Sequence, residues 1–261
     1  MIIEFVGPPG AGKSELVSIT NMILSDLDLY AVSPYRARIL CLKRVPLGRL
    51  IEIITPQKWQ ERVLSAVSRR LLMLHRLYFA LLNQALVRHA VCLLFTSKLS
   101  FKEKRTILGY FLMDCSFYQF FKDRLRPDEA LILSEGLVHR ITSLYTSAQE
   151  EPQPHEILKY IKLLPQADLL ICVNTAIDIC VNRVISRGKY RRYLDEELIP
   201  YMRNCAKTIK IVLQGIKEQG WSCAVVNNNG KLDESAVVLH DILTKRFSRE
   251  VEKKRSLDFT V

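Results

Sequence analysis

Eight residues near the start of the chain have the types and the spacing of a phosphate-binding loop. They are Gly7, Pro8, Pro9, Gly10, Ala11, Gly12, Lys13 and Ser14. Glycines in this pattern let backbone amides turn inward around a phosphate chain, and the N-terminus of a following helix adds partial positive charge. The lysine is expected to reach the β- and γ-phosphates, and the serine hydroxyl to hold a Mg²⁺ ion. This stretch therefore predicts a site for a nucleoside triphosphate, with ATP favoured.

The flanks of the loop fit a strand–loop–helix unit. Residues 1–6 form an apolar, β-branched run that predicts a buried first strand. From Glu15 to Leu24 apolar residues recur at helical spacing, as expected of a helix packed on a sheet. Because the pattern is specific in this context, a chance match in a turn rich in glycine and proline is the weaker interpretation.

Length and composition favour one large α/β domain. The chain has 261 residues, and 49% of them are hydrophobic, which is enough for a sizeable core. Because Met1 already begins the first strand, no signal peptide is expected. The seven cysteines show no paired spacing. These features predict a cytoplasmic protein with free thiols.

Alternating strands and helices follow the loop. Short apolar runs at 28–32, 130–135, 168–173 and 222–226 predict four further strands, with helices between them. This alternation predicts a doubly wound, mostly parallel five-stranded sheet. The last helix is expected to end near Phe247, so that residues 1–246 form the domain and residues 247–261 a loose charged tail.

Residues 34–100 depart from this alternation and predict a helical insertion between strands 2 and 3. Apolar residues recur there in three- and four-residue steps, and Arg62, Arg69 and Arg76 fall seven apart on one helix face. Residues 36–126 contain 18 Lys and Arg against 5 Asp and Glu, whereas the remainder contains 20 against 22. The excess positive charge lies in this middle block, which indicates an anionic partner for it.

Three interpretations of the insertion stay open. The favoured one is a cap that binds an anionic or amphiphilic acceptor molecule. The second is a surface that docks on acidic lipid or nucleic acid, although no nucleic-acid motif supports the polymer. The third is a helical subdomain whose arginines are merely solvated.

Acidic residues near the predicted phosphate site are candidates for catalysis. Glu135 ends an apolar strand, where it could orient Mg²⁺ or act as the base for a hydroxyl acceptor, and Asp114 is the second candidate for the base. A phosphate or carboxylate acceptor would need cations instead, which Arg36, Arg38 and Arg140 could supply. His139 and His155 are interpreted as polar surface residues.

Residues 101–135 resemble the corresponding part of thymidylate kinases and deoxynucleoside kinases. In that group a helix over the acceptor site leads through Arg-Pro into a strand that ends in a catalytic acid. Here the matching pieces are Tyr110 to Asp114, Tyr118-Gln119, Arg126-Pro127 and Leu131 to Glu135. The resemblance implies a P-loop kinase sheet of order 2-3-1-4-5, and it implies that Tyr110, Asp114 and Gln119 contact the acceptor.

Two later stretches resemble the same group. Ala167 to Val173, followed by Arg183, Arg187 and Gly188, is similar to its fourth strand, helix and arginine-rich lid. The resemblance implies that Arg187 and Arg183 close over the triphosphate with Lys189, Arg191 and Arg192, since guanidinium groups suit phosphate oxygens. Residues 225–229 resemble the last strand and the adenine loop, which implies a nucleotide contact for Asn227.

The chain departs from the group's pattern at the acceptor side. Gly136 follows Glu135 where an arginine is usual, and Arg140 could supply that charge. Cys115 follows Asp114 where thymidylate kinases have an arginine. The acid that deoxynucleoside kinases carry after the second strand is missing as well. The resemblance therefore implies a small-molecule kinase whose acceptor is not an ordinary nucleotide.

Two rival functions remain: a nucleotide-binding regulatory module without transferase activity, and a kinase that acts on nucleic acid. A homodimer is left open. Nucleic acid and a membrane surface are disfavoured as partners.

Overall fold

The computed structural model describes residues 1–122, 124–188 and 195–258, with the backbone alone for 195 and 248–258. Five strands form one sheet: β1 (Ile2–Val6), β2 (Tyr30–Val32), β3 (Glu129–Leu133), β4 (Leu169–Asn174) and β5 (Cys223–Asn227). All neighbouring strands are parallel, and their order is β2-β3-β1-β4-β5. This confirms the predicted fold class and strand order.

The described residues form eleven helices, which cover both faces of the sheet. They are α1 (Lys13–Asp26), α2 (Pro34–Lys43), α3 (Pro46–Ile54), α4 (Gln57–Leu82), α5 (Gln84–Thr96), α6 (Phe101–Phe121), α7 (Arg140–Tyr145), α8 (Pro154–Leu163), α9 (Ile177–Ser186), α10 (Asp195–Glu218) and α11 (Leu232–Asp258).

The two sides of β1 face two different hydrophobic cores, so the whole strand is buried. Ile3 and Phe5 pack with residues of α1, α9 and α11, while Ile2 and Val6 pack with residues of α6, α7 and α8. Side chains alternate along a strand, so Glu4 shares the face of Ile2 and Val6 and becomes a buried carboxyl group. A strand covered on both faces explains the continuous apolar run.

The insertion, helices α2 to α5, packs against α6. His75 of α4 contacts Phe120 of α6 with ring centroids 5.0 Å apart. A small separate core joins α2, α3 and α4, and its buried members are Ile39, Leu42, Ile51 and Leu64. No single helix in the described ranges is long and apolar enough to cross a membrane. Helices α4 and α5 meet that length and composition test only as a pair, and they are bent by 98° where they join.

Helix ends illustrate what local signals can predict. Ser100, a residue type preferred at this position, caps α6, and Glu103 completes the capping box. The expectation that the last helix ends near Phe247 was wrong, because α11 continues to Asp258. Residues 248–258 contain neither glycine nor proline and include several good helix formers, so nothing local ends the helix.

All seven cysteines are free thiols, and five of them are buried. Burial raises the pKa of the Cys41 thiol to about 11 and that of Cys172 to about 12. Both thiols are therefore protonated and unreactive at neutral pH.

Candidate active site

The phosphate-binding loop connects β1 to α1. Gly10 and Gly12 have φ values of 77° and 90°, in the left-handed region that favours glycine. A Cβ atom on Gly12 would also collide with the side-chain amide of Asn228. Ser14 is exposed in the first turn of α1. The loop therefore has the backbone shape and the open serine that phosphate and metal binding require.

Lys13 is the buried cation of this loop. Its Nζ donates to the carbonyl oxygens of Gly7 at 2.8 Å and Pro8 at 3.1 Å. Burial lowers the pKa of the ammonium group, and the Glu135 carboxylate opposes that shift. Within the described part of the chain Lys13 forms no ion pair, so it can turn to an arriving phosphate without breaking one.

Two buried polar side chains that sequence reasoning missed support the loop from behind. Asn228, after β5, donates to the Ala11 carbonyl at 2.7 Å, and the Thr175 hydroxyl donates to the same oxygen at 3.1 Å. Ser235 donates to the side-chain oxygen of Asn228 at 3.2 Å. These bonds satisfy buried polar groups and hold the loop in one shape. The run of three asparagines after β5 was the available signal.

Glu135 faces the phosphate-binding loop across a cleft of about 220 Å³. Its side chain is 49% exposed. The cleft is lined by Pro9, Gly10, Ala11, Gly12, Lys13, Ser14, Glu135, Val184 and Arg187. The structure thus brings the predicted catalytic acid, the loop lysine, the serine and one lid arginine together.

His139 lies beside Glu135, and its interpretation as a surface residue was wrong. Only 5% of the residue is exposed, and its Nε2 is 3.5 Å from Glu135 Oε1. Burial holds the pKa of the imidazole well below its ordinary range, and the charges of Lys13 and Arg140 lower it further. Nε2 is the ring nitrogen nearer to Glu135, and Nδ1 is left without a partner among the described residues. His155, by contrast, is exposed.

Arg140 connects the two predicted acids. Its Nε donates to Asp114 Oδ2 at 2.5 Å, its NH2 group is 3.8 Å from Glu135 Oε2, and its guanidinium lies over the Tyr110 ring at 5.1 Å. Burial raises the pKa of Asp114 to about 6 although Arg140 opposes the shift. Both side chains of this pair are more than nine-tenths buried, so Arg140 is not a surface residue.

Sequence reasoning did not identify Glu4 as a site residue, and its position explains why residue 136 is a glycine. Its carboxyl group accepts hydrogen bonds from the Tyr118 hydroxyl at 2.5 Å and from the His139 amide at 3.0 Å. A Cβ atom on residue 136 would lie 2.6 Å from Glu4 Cδ. An arginine at position 136 is therefore excluded by the buried Glu4 carboxyl group. Burial also raises the pKa of Glu4 to about 7, despite these hydrogen bonds.

The two arginines predicted to form a lid differ in exposure, because Arg183 is half-buried and Arg187 is exposed. Arg183 donates to the carbonyl oxygens of Gly10 and Asn228, each at 3.4 Å. Arg187, exposed at the end of α9, pairs with Glu15 at 2.7 Å. The other predicted lid residues, Lys189, Arg191 and Arg192, lie outside the described residues.

Arg36 and Arg38 are not brought to this cleft. Arg36 lines a different cleft, between α2 and α4, with Tyr30 and Gln60 among its walls. Arg38 donates to the Ser65 hydroxyl at 3.4 Å and lies over the Tyr35 ring at 5.0 Å.

The remaining predicted contacts lie on helix α6 and at the end of β5. Gln119 is half-buried on α6. Asn227 accepts a hydrogen bond from Asn174 at 2.8 Å at the exposed end of β5. Their roles toward acceptor and nucleotide remain predictions.

No protein-family model matches the chain, and no curated protein sequence matches it. Solved structures that match include deoxyadenosine kinase from M. mycoides with bound dCTP, at 10% identity and a TM-score of 0.40, covering 94% of this chain and all of that one. They also include thymidylate kinase from Ehrlichia chaffeensis, at 15% identity and a TM-score of 0.45, covering 94% of this chain and 97% of that one.

These two enzyme classes are the ones whose motifs the sequence resembles. At such identities and scores the likeness carries no conclusion about activity. The function must be inferred from the parallel sheet, the loop and the residues in the cleft.

Proposed function

We propose that the protein is a Mg²⁺- and ATP-dependent phosphotransferase that moves the γ-phosphoryl group to an acceptor other than an ordinary nucleotide. The observation that carries this proposal is the cleft of about 220 Å³ in which Glu135 faces Lys13, Ser14 and Arg187. Phosphoryl transfer depends on positioning and on neutralising charge, and this cleft combines cations with one acid.

The residues of the cleft fit a magnesium nucleotide. The loop amides and Lys13 would hold the β- and γ-phosphates, and Ser14 with Glu135 would hold the ion. No cluster of three His, Cys, Asp or Glu side chains in the described ranges could bind a metal alone. One hydroxyl and one carboxylate fit Mg²⁺, because this ion takes few protein ligands and relies on phosphate oxygens and water. Bound there, the ion would neutralise developing charge on the phosphate oxygens.

Glu135 is oriented from two sides. Neutral His139 lies 3.5 Å from one carboxylate oxygen, and Arg140 lies 3.8 Å from the other. A carboxylate held in this way can accept the proton of a hydroxyl acceptor or orient the metal. Arg187 would add positive charge at the transferring group, with Arg183 behind the loop.

The acceptor is expected to be a small anionic or amphiphilic molecule. Arg140, which could replace the arginine usual after the catalytic acid, is already paired with Asp114. Gly136 leaves no side chain for a monophosphate to contact. The group's usual route to a nucleotide acceptor is therefore absent at these positions.

A second candidate function is a nucleotide-binding regulatory module. The pairing of Arg140 with Asp114 and of Arg187 with Glu15 favours it, because both cations already have partners. Slow ATP hydrolysis that no acceptor accelerates would support this alternative.

Transfer of label from γ-labelled ATP into a metabolite extract of the source cell tests the proposal. A labelled product that forms with wild type and with Lys217→Ala, but not with Lys13→Ala, would support a kinase and identify its acceptor by mass. Lys217 is the control because it lies in the last turn of α10, away from the cleft. Tight nucleotide binding without any labelled product would contradict the kinase and favour the regulatory module.

A further inference from the structure

The insertion exposes an apolar surface on the C-terminal half of α4. Six large side chains there are each more than half exposed: Met73, Leu74, Leu77, Tyr78, Leu81 and Leu82. Isolated exposed apolar residues are ordinary, but a contiguous group of this size on one helix indicates an interaction surface. We call these six residues the α4 apolar patch.

The same helix is cationic from Arg62 onward, and its one acid, Glu61, lies near its start. Residues 62–102 contain seven Lys and Arg and neither Asp nor Glu. Arg62, Arg69, Arg70 and Arg88 are exposed, and none of them pairs with an acid in the part of the chain that the structure describes. Lys98 is different, because it pairs with Glu150 at 2.6 Å. The unpaired charge therefore lies mainly on α4.

Charge and apolar surface lie on the same side of α4. Steps of seven and four residues return to one helix face, which places Arg62 and Arg69 in line with Met73 and Leu77. Trp59, 46% exposed, lies beneath the Arg62 guanidinium at 5.0 Å from ring centre to charge. Exposed arginines together with a tryptophan and leucines are residue types found on helices that lie in a lipid headgroup layer.

Two other occupants fit the surface less well. A second copy of the chain could cover the leucines, but its own α4 would offer the unpaired arginines cations and no matching anionic surface. Nucleic acid would use the arginines but would leave the leucines in water. We propose that α4 docks this protein on the surface of an anionic lipid bilayer, with the α4 apolar patch among the acyl chains. This inference does not depend on the proposed kinase activity.

Binding to sedimented vesicles tests the proposal. The full chain is expected to bind vesicles of phosphatidylcholine mixed with an equal amount of phosphatidylglycerol, and to bind phosphatidylcholine alone far more weakly. Raising the salt concentration should reduce the binding. Trp59 supplies an independent readout, because the other tryptophan, Trp221, is buried. Its emission should shift to the blue on binding, and Trp59→Phe should remove that shift without removing the binding.

Two variants separate charge from apolar contact. Arg62→Gln, Arg69→Gln and Arg70→Gln together should lower vesicle partitioning by about a hundredfold, since each cation near an anionic surface contributes about fivefold. Leu77→Gln with Leu81→Gln should lower it by at least tenfold. Met22→Gln with Val237→Gln is the matched control, because these exposed apolar residues lie on α1 and α11, outside the insertion.

Some outcomes would overturn the proposal. The first is that wild-type protein does not bind acidic vesicles, or that it binds them and the leucine variant binds equally well. The second is that sedimentation velocity shows a wild-type dimer that does not bind vesicles, while the leucine variant is a monomer. The third is oligonucleotide binding that only the arginine variant loses while vesicle binding is absent. Because phosphoryl transfer in solution is measured separately, its failure would leave the vesicle result standing.

Discussion

The phosphate-loop end of the sheet buries polar side chains, whereas the helical insertion exposes apolar ones. Around the loop, polar side chains such as Asn228, Thr175 and Glu4 are buried, and each has a hydrogen-bond partner. On α4, leucines and a methionine are exposed and arginines lack acidic partners among the described residues. Buried, satisfied polar groups hold one shape, as a small charged ligand requires. An exposed surface that is both apolar and cationic is suited instead to a partner outside the chain.

The largest effect is expected from a substitution of Arg187 at the loop end, which should lower turnover strongly and stability only slightly. Arg187→Ala is expected to lower the turnover of phosphoryl transfer by about a hundred- to a thousandfold, because under the proposed function Arg187 adds positive charge at the transferring group. It should change the free energy of unfolding by less than about 1 kcal/mol, since its pair with Glu15 is exposed. Steady-state kinetics and urea unfolding measure the two quantities.

Glu15→Ala is the control for that prediction, because it removes the same ion pair but keeps the cation. Equal losses of turnover in the two variants would show that the pair is structural and would contradict a role for Arg187 at the phosphate.

The second prediction concerns the buried Glu4. Its pKa rises from 4.5 to about 7 on folding, so the folded protein binds the extra proton between these pH values. The contribution of Glu4 to the free energy of unfolding is fully present below about pH 4.5. It is lost as the pH rises through about 7, and the total loss is about 3 kcal/mol. Glu4→Gln mimics the protonated group, so its unfolding free energy should fall less than that of wild type between pH 5 and pH 8.

Denaturant unfolding at the two pH values measures this difference. Asp114 also titrates in this range and its charge raises the pKa of Glu4, so the difference between the two proteins reports Glu4 together with this interaction. Glu61→Gln, an exposed acid in the insertion, should keep the wild-type pH dependence. If the unfolding free energy of Glu4→Gln changes with pH as much as that of wild type, the pKa of Glu4 is not raised in the folded protein.

The third prediction tests the steric pair of Glu4 and Gly136. Gly136→Ala should destabilise the protein by about 1–3 kcal/mol, because the new methyl group would lie against the Glu4 carboxyl carbon. In a Glu4→Ala background the same change should cost much less. A double-mutant cycle of unfolding free energies measures the coupling, and simple additivity would contradict the contact.

The smallest effect is expected on the open side of α6. A Cβ atom on Gly109 would meet nothing within 4 Å, whereas one on Gly215 of α10 would lie 2.6 Å from Leu158 Cδ2. Gly109→Ala should therefore stabilise the helix by up to about 1 kcal/mol, and Gly215→Ala should stabilise the protein less, because the Leu158 side chain must shift to admit the methyl group. Thermal unfolding measures both. A loss of stability in Gly109→Ala would contradict an open face at this residue.

Local and periodic features of the fold could be predicted from the sequence. The loop, the sheet and the cap at Ser100 follow from residues close together in the chain. The burial of His139 could not be predicted, because it depends on how distant parts of the chain come together, as in the hydrogen bond from its amide to Glu4. Glu4 itself looked like a single acid in an apolar strand, and only the Tyr118 hydroxyl and the His139 amide show why it is tolerated. Asn228 is tied to the loop by contacts that no spacing rule contains.

The close approach of Glu4 and Gly136 also limits which substitutions the site can accept during evolution. An arginine at position 136 would meet the Glu4 carboxyl group, while loss of Glu4 alone would leave the Tyr118 hydroxyl and the His139 amide without their acceptor. Each single substitution gives a less stable protein, and loss of Glu4 relieves the steric conflict at residue 136 but leaves these two donors without an acceptor. The identity of residue 136 is therefore epistatic to residue 4, and an acceptor site with arginine after the acid is at least two correlated substitutions away.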